Sequence, residues 1–322
     1  MNGVSIIIPA YNSEKTIAEC ITAAQNLDWD GETEVIVVND GSSDRTADIA
    51  STFTRVKVIN TPNGGAPRAT NIGIHAAQND IVVSLDADAV LEKHWLQKIM
   101  PSFSDPTVGA VAGYALTGNK GIWGKLMGWD VELRLDRIKT YSDHLYTMNT
   151  AYRRQALSKV GMFDEQLRIS YDGDISRRLT AAGYRLVLRK DATCRHYWRD
   201  DLRGFLRQQY NYAYYHLEQT RKFGNPQDKM VNWWMIIQVP LTLLILAGAT
   251  LGILASPFAV LGLVLLPLIH IPEAITLLVK KKDICSLALP LQFTLRNLAW
   301  ARAAVVWSMR YIWQTCHKSL KS

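Results

Sequence analysis

Between residues 230 and 272 this 322-residue chain contains no Asp, Glu, Lys or Arg. The gap is 43 residues long, and two helices buried in a soluble core seldom go so far without a charge. A membrane-spanning helix needs about 20 apolar residues, so the gap predicts two passes with a tight turn at Ser256-Pro257. Cysteine is scarce too. Cys20, Cys194, Cys285 and Cys316 stand far apart with no paired spacing. That argues against a disulfide framework or a zinc site and reads as reduced cytosolic thiols. The first residues lack a basic n-region and a cleavage site, so no signal peptide is expected. There is no internal repeat, no low-complexity segment and no nucleic-acid motif, so the net charge of +7 needs another partner. Arg221, Lys222 and Lys229 precede the uncharged run, and Lys280, Lys281 and Lys282 follow it. Basic flanks on both sides place both on the cytoplasmic face, against an anionic lipid surface. The expectation is a multi-pass protein of the cell membrane in three parts: a cytosolic domain over 1–225, a transmembrane hairpin over 230–279, and an apolar interfacial helix with a basic tail over 284–322. No feature specifies an oligomeric state.

What is present over the first 110 residues is a regular alternation of strand and helix. Strands are predicted at Val4 to Pro9, Glu34 to Val38, Val56 to Asn60 and Ile81 to Leu85. Helices are predicted from Ser13 (as N-cap) to Leu27, in the stretch after Asp44, from Arg68 to Gln78 and from Glu92 to Phe103. This is the pattern of an α/β fold with a mostly parallel central sheet flanked by helices. Further strands are expected at Val108 to Thr117, His144 to Tyr152 and Arg185 to Leu188. Further helices are expected at Ile122 to Ile138, Asp172 to Ala182 and Leu202 to Lys222.

The strand ends carry the chemistry. Open α/β sheets bind ligands at the carboxyl ends of their strands. The fourth predicted strand ends in SLDADA, with Asp86 and Asp88 on either side of Ala87, and hard oxygen ligands there suit Mg²⁺ or Mn²⁺. The first strand ends in Pro9, Tyr11 and Asn12. The second ends in Asp40 and Gly41, where a carboxylate can accept bonds from a base or ribose hydroxyl and glycine lets the chain turn closely. After the third comes NGGAPRATN, in which Arg68 and Asn71 enter a helix N-terminus suited to phosphate. Any one of these could be ordinary loop punctuation. Four on one edge point to a nucleotide diphosphate.

The segments SIIIPAYNSEKTI, EVIVVNDGSSDRT, NGGAPRATNIGI, SLDADA and SYDGDISRRLTAAGY resemble those of inverting glycosyltransferases of family two, with the GT-A nucleotide-diphospho-sugar transferase fold, over roughly the first 220 residues. The resemblance implies that Asp40 meets the base or ribose of a UDP-type donor, that Asp86 lies near ribose or metal, and that Asp88 binds the metal. It also implies that Asp172 is the general base, with Asp174 as the alternative, and that His196 can complete the metal shell. Three positions depart from the family pattern. Tyr171 stands where a Glu is usual. Ala69-Thr70-Asn71-Ile72-Gly73 lacks the arginine of the A-R-N-x-G turn. Gln208-Gln209-Tyr210-Asn211-Tyr212 has Asn211 where processive relatives have Arg. Gln208, Asn211 and Tyr212 would lie beside the acceptor, and the change at Asn211 favours adding one sugar over building a polymer.

A membrane segment on such a domain implies a lipid-linked acceptor, either a saccharide hydroxyl or, as in a polyprenyl-phosphate sugar synthase, a phosphate. Tyr171 and Asn211 keep open an inactive relative serving as a membrane scaffold. Near the end of the chain, Arg296, Trp300, Ala303, Trp307 and Arg310 share one helix face. That face is expected at the membrane interface, as an anchor of tryptophans and snorkelling arginines.

Overall fold

A computed structural model describes residues 3–167, 169–223, 233–250 and 267–319. Its elements run β1 (Val4–Ala10), α1 (Ile17–Gln25), β2 (Thr33–Asp40), α2 (Thr46–Ser51), β3 (Val56–Thr61), α3 (Ala66–Ala76), β4 (Ile81–Leu85), β5 (Ala89–Leu91), α4 (Trp95–Ile99), β6 (Val108–Thr117), α5 (Ile122–Arg137), β7 (Tyr141–Ser142), β8 (Asn149–Arg153), α6 (Arg154–Lys159), α7 (Tyr171–Ala181), β9 (Arg185–His196), α8 (Leu202–Phe223), α9 (Trp233–Thr250), α10 (Ile271–Lys281) and α11 (Leu289–Ser319). The chain divides into two compact units. One is built on the described residues of 1–119 and 130–198, the other on those of 120–129, 199–226 and 231–322. This division falls before α8, earlier than the boundary expected near residue 225.

The first unit is built around one sheet in the order β3-β2-β1-β4-β8-β6-β9-β5, with β7 on β9. β1 to β4 pair in parallel. β1, β2 and β4 are mostly apolar because helices cover both faces of such a sheet, while β3, at its edge, is not buried; Ile6, Ile7, Ile8, Ile36, Val37 and Val38 are fully buried. The expectation of a mostly parallel sheet is corrected here: the sheet is mixed. β8 enters between β4 and β6 antiparallel to both, and β5 and β7 pair antiparallel with β9. Three local expectations also change. Ser13 closes a turn whose carbonyl accepts the Thr16 and Ile17 amides, and the helix starts only at Ile17. The helix expected over Glu92 to Phe103 is a short α4 followed by a 3-10 turn at Met100–Ser104. The strand expected from His144 begins at Asn149.

Close packing of α3 on β1 sets the depth of the sheet edge that carries the site. A Cβ on Gly73 would fall 2.2 Å from Ile7 Cγ2, inside the wall of β1. Gly73→Ala should therefore overpack the interface and lower unfolding stability by about 1–3 kcal/mol, read as a fall in the urea midpoint at unchanged slope.

In the helical unit, α8 packs along α11. Part of the helix face expected at a membrane interface packs within this unit, while Arg310 at its far end is exposed. Arg296 and Ala303 are buried. Arg296 and Asn297 donate to Gln238 on α9, and Trp300, Trp307 and Arg310 bond to Gln209, Glu218 and Tyr214 on α8. Polar groups on an apolar helix are satisfied by facing one another, and that pairing fixes which side of α11 turns inward. Among the described residues no helix is long and apolar enough to cross a membrane. Residues 251–266 of the expected hairpin lie outside the described residues.

Candidate active site

β4 delivers Asp86 and Asp88 at its carboxyl end, and β5 then pairs with the last residues of β9 so that Ala89 lies opposite His196. That register sets the imidazole against the carboxylates. His196 Nε2 lies 3.1 Å from Asp88 Oδ1 and 3.4 Å from Asp86 Oδ2. The histidine is buried, while the two aspartates are partly open to solvent. Burial works against the imidazolium, but the charges of Asp88 and Asp86 outweigh it and raise the His196 pKa. The Trp198 ring lies against the imidazole at 4.1 Å between centroids. The end of β9 is fixed from outside: Arg195 and Tyr197 both bond Glu19 on α1, and the Tyr197 amide donates to the Asp88 carbonyl. One ligand atom each from Asp86, Asp88 and His196 lies within 4.8 Å of the others. Two carboxylates with one imidazole form a ligand set that suits Mn²⁺ or Mg²⁺.

Behind this cluster Cys20 donates to the Asp86 carbonyl. Burial first, and then Asp88 and Asp86, push its thiol pKa well up, which keeps it an inert buried thiol.

The base candidates separate clearly. Both sit in the first turn of α7, where the helix dipole favours carboxylates. Asp174 is buried and turned inward, bonded by Arg177 and Arg178, and Arg178 in turn donates to the Val160 and Met162 carbonyls. Asp172 is part-exposed. One of its oxygens accepts the Gly173 amide, and the other lies 3.4 Å from His144 Nε2. Tyr171 packs its ring against Phe163.

His144 was not legible in the sequence as a site residue, because its segment reads as a strand. The segment is instead a strap between the two carboxylate centres. The Leu145 amide donates to Ser176 on α7, and the Met148 carbonyl accepts the Asp86 amide. Tyr152, also unforeseen, is buried on β8. Burial first, and then the charges of Asp172 and Asp86, raise its pKa, which keeps the phenol protonated.

The donor-loop residues lie on the same sheet edge in different roles. Tyr11 is exposed, Pro9 is the last residue but one of β1, and Ala87 is buried between the two aspartates. Asn12 adopts a left-handed backbone, and its side chain accepts from Ser43 beside Gly41, whose φ is +70°. Asp40 is buried, with its carboxylate accepting the Gly64 and Gly65 amides at 2.8 Å each. It shapes the glycine turn, and the Arg68 side chain lies over Gly64. Asn71, expected to face the donor, is turned inward, bonding Phe163 and Glu165 in the loop before α7. Gln208, Asn211 and Tyr212 belong to the helical unit, where Gln208 donates to Tyr212 along α8. Asp40→Asn would set an NH₂ against one of the two amides. It should cost about 2 kcal/mol of stability and weaken UDP binding, read by thermal unfolding and titration calorimetry.

A mixed α/β sheet ending in a carboxylate–histidine cluster, with a helix that opens on two more carboxylates, is an arrangement suited to a nucleotide-sugar transferase. Residues 5–161 match the family model described as glycosyl transferase family 2, which supports a glycosyltransferase domain over that stretch. It is similar to the poly-beta-1,6-N-acetyl-D-glucosamine synthase of Staphylococcus aureus, 28% identical over 228 residues, covering 66% of this chain and 54% of that protein. It is also similar to the synthase of the same name from Staphylococcus epidermidis, 29% identical over 206 residues, covering 60% of this chain and 50% of that protein. The chain thus spans about half the length of these curated relatives. In fold it is similar to a mannosyltransferase of Pyrobaculum calidifontis solved with GDP-Man and Mn²⁺, at 20% identity and a TM-score of 0.63, covering 94% of this chain and 86% of that one.

Proposed function

We propose that the chain is a metal-dependent inverting glycosyltransferase that moves one sugar from a UDP-linked donor to a hydroxyl of a lipid-linked saccharide at the cytoplasmic face of a membrane. The observation that carries this reading is the presence of two carboxylate–histidine centres, Asp86 and Asp88 with His196, and Asp172 with His144, linked by the strap that bonds Ser176 and Asp86. Asp88, Asp86 and His196 would hold the divalent ion, whose chemistry when bound is to offset charge on the diphosphate. Asp172 takes the proton from the acceptor hydroxyl. The freed oxygen bonds to the anomeric carbon as the bond from that carbon to the diphosphate breaks, and the electron pair leaves with the diphosphate. One displacement inverts the anomeric centre. His144 orients the second oxygen of Asp172.

The similarity to synthases named for N-acetylglucosamine makes UDP-N-acetylglucosamine the first donor to test. Asn211 supports single transfer. A polyprenyl-phosphate acceptor is the second reading. The base centre favours the hydroxyl, because a phosphate is already ionised at neutral pH. An inactive scaffold would have no use for an assembled Asp172–His144 pair. The uncharged run from 230 to 272 and its basic flanks support the membrane location.

Titration calorimetry of UDP tests the donor site. Binding should appear with Mn²⁺ and fall at least tenfold when the ion is chelated; equal affinity in both conditions would remove the metal centre from the account.

A further inference from the structure

The apolar surface of α10 and the turn after it suggests how the chain meets a bilayer. Ala274 and Leu277 are buried, so one apolar side of α10 is already used in folding. A second apolar side remains in the open. Ile271, Ile275 and Val279 recur every four residues, with Val279 71% exposed and Ile275 51% exposed. The stripe continues past the helix end through Ile284 at 71% and Leu287 at 49% exposure. Scattered exposed apolar side chains are ordinary, but a contiguous stripe marks a contact surface. Lys280 and Lys282 are exposed directly beside it. Lysines suit any helix C-terminus, but the helix dipole gives no reason for Ile284 and Leu287 to face outward beyond the cap at Lys282.

We propose that α10 and the turn at Ile284–Ala288 lie in the plane of a membrane, with Ile271, Ile275, Val279, Ile284 and Leu287 in the acyl boundary and Lys280 and Lys282 among anionic headgroups. Amphipathic helices that lie in the interface combine these two features, apolar area and attraction to anionic lipid. This departs from the hairpin reading, which made Lys280 to Lys282 the cytoplasmic flank of a crossing and gave residues 271–279 to its interior. It rests on the proposal that the acceptor is lipid-linked, and it adds the surface that would bring the enzyme to such an acceptor.

The test uses the full chain and vesicles of phosphatidylcholine with or without phosphatidylglycerol. An environment-sensitive fluorophore is attached at Ile275→Cys in a Cys285→Ser, Cys316→Ser background. The expected result is a blue shift on adding the anionic vesicles. Flotation with those vesicles should fall roughly tenfold in Ile275→Glu with Val279→Glu. In Lys280→Gln with Lys282→Gln it should fall roughly fivefold per lysine at low salt. Circular dichroism confirms that each variant folds. Flotation with an unshifted fluorophore places the attachment elsewhere and overturns the proposal. So does a blue shift without lipid accompanied by a doubled sedimentation mass, which would make the stripe a contact between two copies. UDP binding with Mn²⁺, measured on the same samples, separates failure of this surface from failure of the catalytic reading.

Discussion

Asp172→Asn is expected to lower sugar transfer to a hydroxyl acceptor by roughly a thousandfold, within the range of 10²–10⁴ that a positioned general base contributes, while UDP affinity stays as in the unmodified chain. An amide keeps the shape and the bond from the Gly173 amide but has no basic oxygen for the acceptor proton. The proposed donor site is unaffected because the Asp86, Asp88 and His196 cluster is built on β4, β5 and β9. Single-turnover kinetics with saturating donor checks this. Asp174→Asn should behave differently. It loosens the contacts from Arg177 and Arg178 and so lowers thermal stability before it changes chemistry. A fall of less than tenfold in Asp172→Asn would mean that the acceptor arrives already ionised and would move the phosphate acceptor to first place. His144→Gln should give an intermediate loss in turnover with the Michaelis constant for the donor unchanged, as expected of a residue that acts through Asp172.

The second large effect belongs to Asp88. Removing outer partners of metal ligands costs 10–100-fold in metal affinity. We propose Asp88 as a direct ligand, so Asp88→Asn should lose on the order of a hundredfold or more in affinity for Mn²⁺ and lose turnover at any practical metal concentration. Two observations rule out compensation by a neighbour. His196 cannot shift, because the sheet pairing holds it opposite Ala89 and Trp198 stacks on its ring. Asp86 is tied at its backbone by Met148 and Cys20. Mn²⁺ titrations followed by turnover give the comparison. Wild-type affinity for the ion in Asp88→Asn would remove Asp88 from the metal site.

Much of this arrangement was legible because the signals were local. β4 and β6 fall where periodicity places them, since each is an uninterrupted apolar run. Asp86 and Asp88 announce themselves by standing where β4 ends. The pairing of β8 between β4 and β6 was not legible, because antiparallel insertion of a late strand is a property of the whole sheet. The polar residues Arg189 to Arg195 looked like the end of a strand. They stay extended because β6 pairs with them past an irregularity at Gly113/Tyr114, and β5 pairs with the last of them. His196 came from the resemblance alone; its place beside Asp88 depends on that long strand. His144 and Tyr152 carry no motif and join the site only through contacts between distant segments. Asn71 looked like a donor ligand because it opens α3 beside Arg68, yet its amide is engaged by a loop 92 residues on. In the helical unit, the arginine-tryptophan face of α11 has the composition of a membrane anchor. Its partners on α8 and α9, some 58 to 96 residues away in sequence, give it a different use.

The central claim is tested most directly by incubating the purified full chain with Mn²⁺, labelled UDP-N-acetylglucosamine and an extracted lipid-linked saccharide, and then determining how many sugars are added and the configuration of the new bond. The account predicts one sugar per acceptor, joined in the anomeric configuration opposite to that of the donor, with no product when Mn²⁺ is withheld. A retained configuration, or a ladder of added sugars, or product formed equally well without the ion, would contradict it.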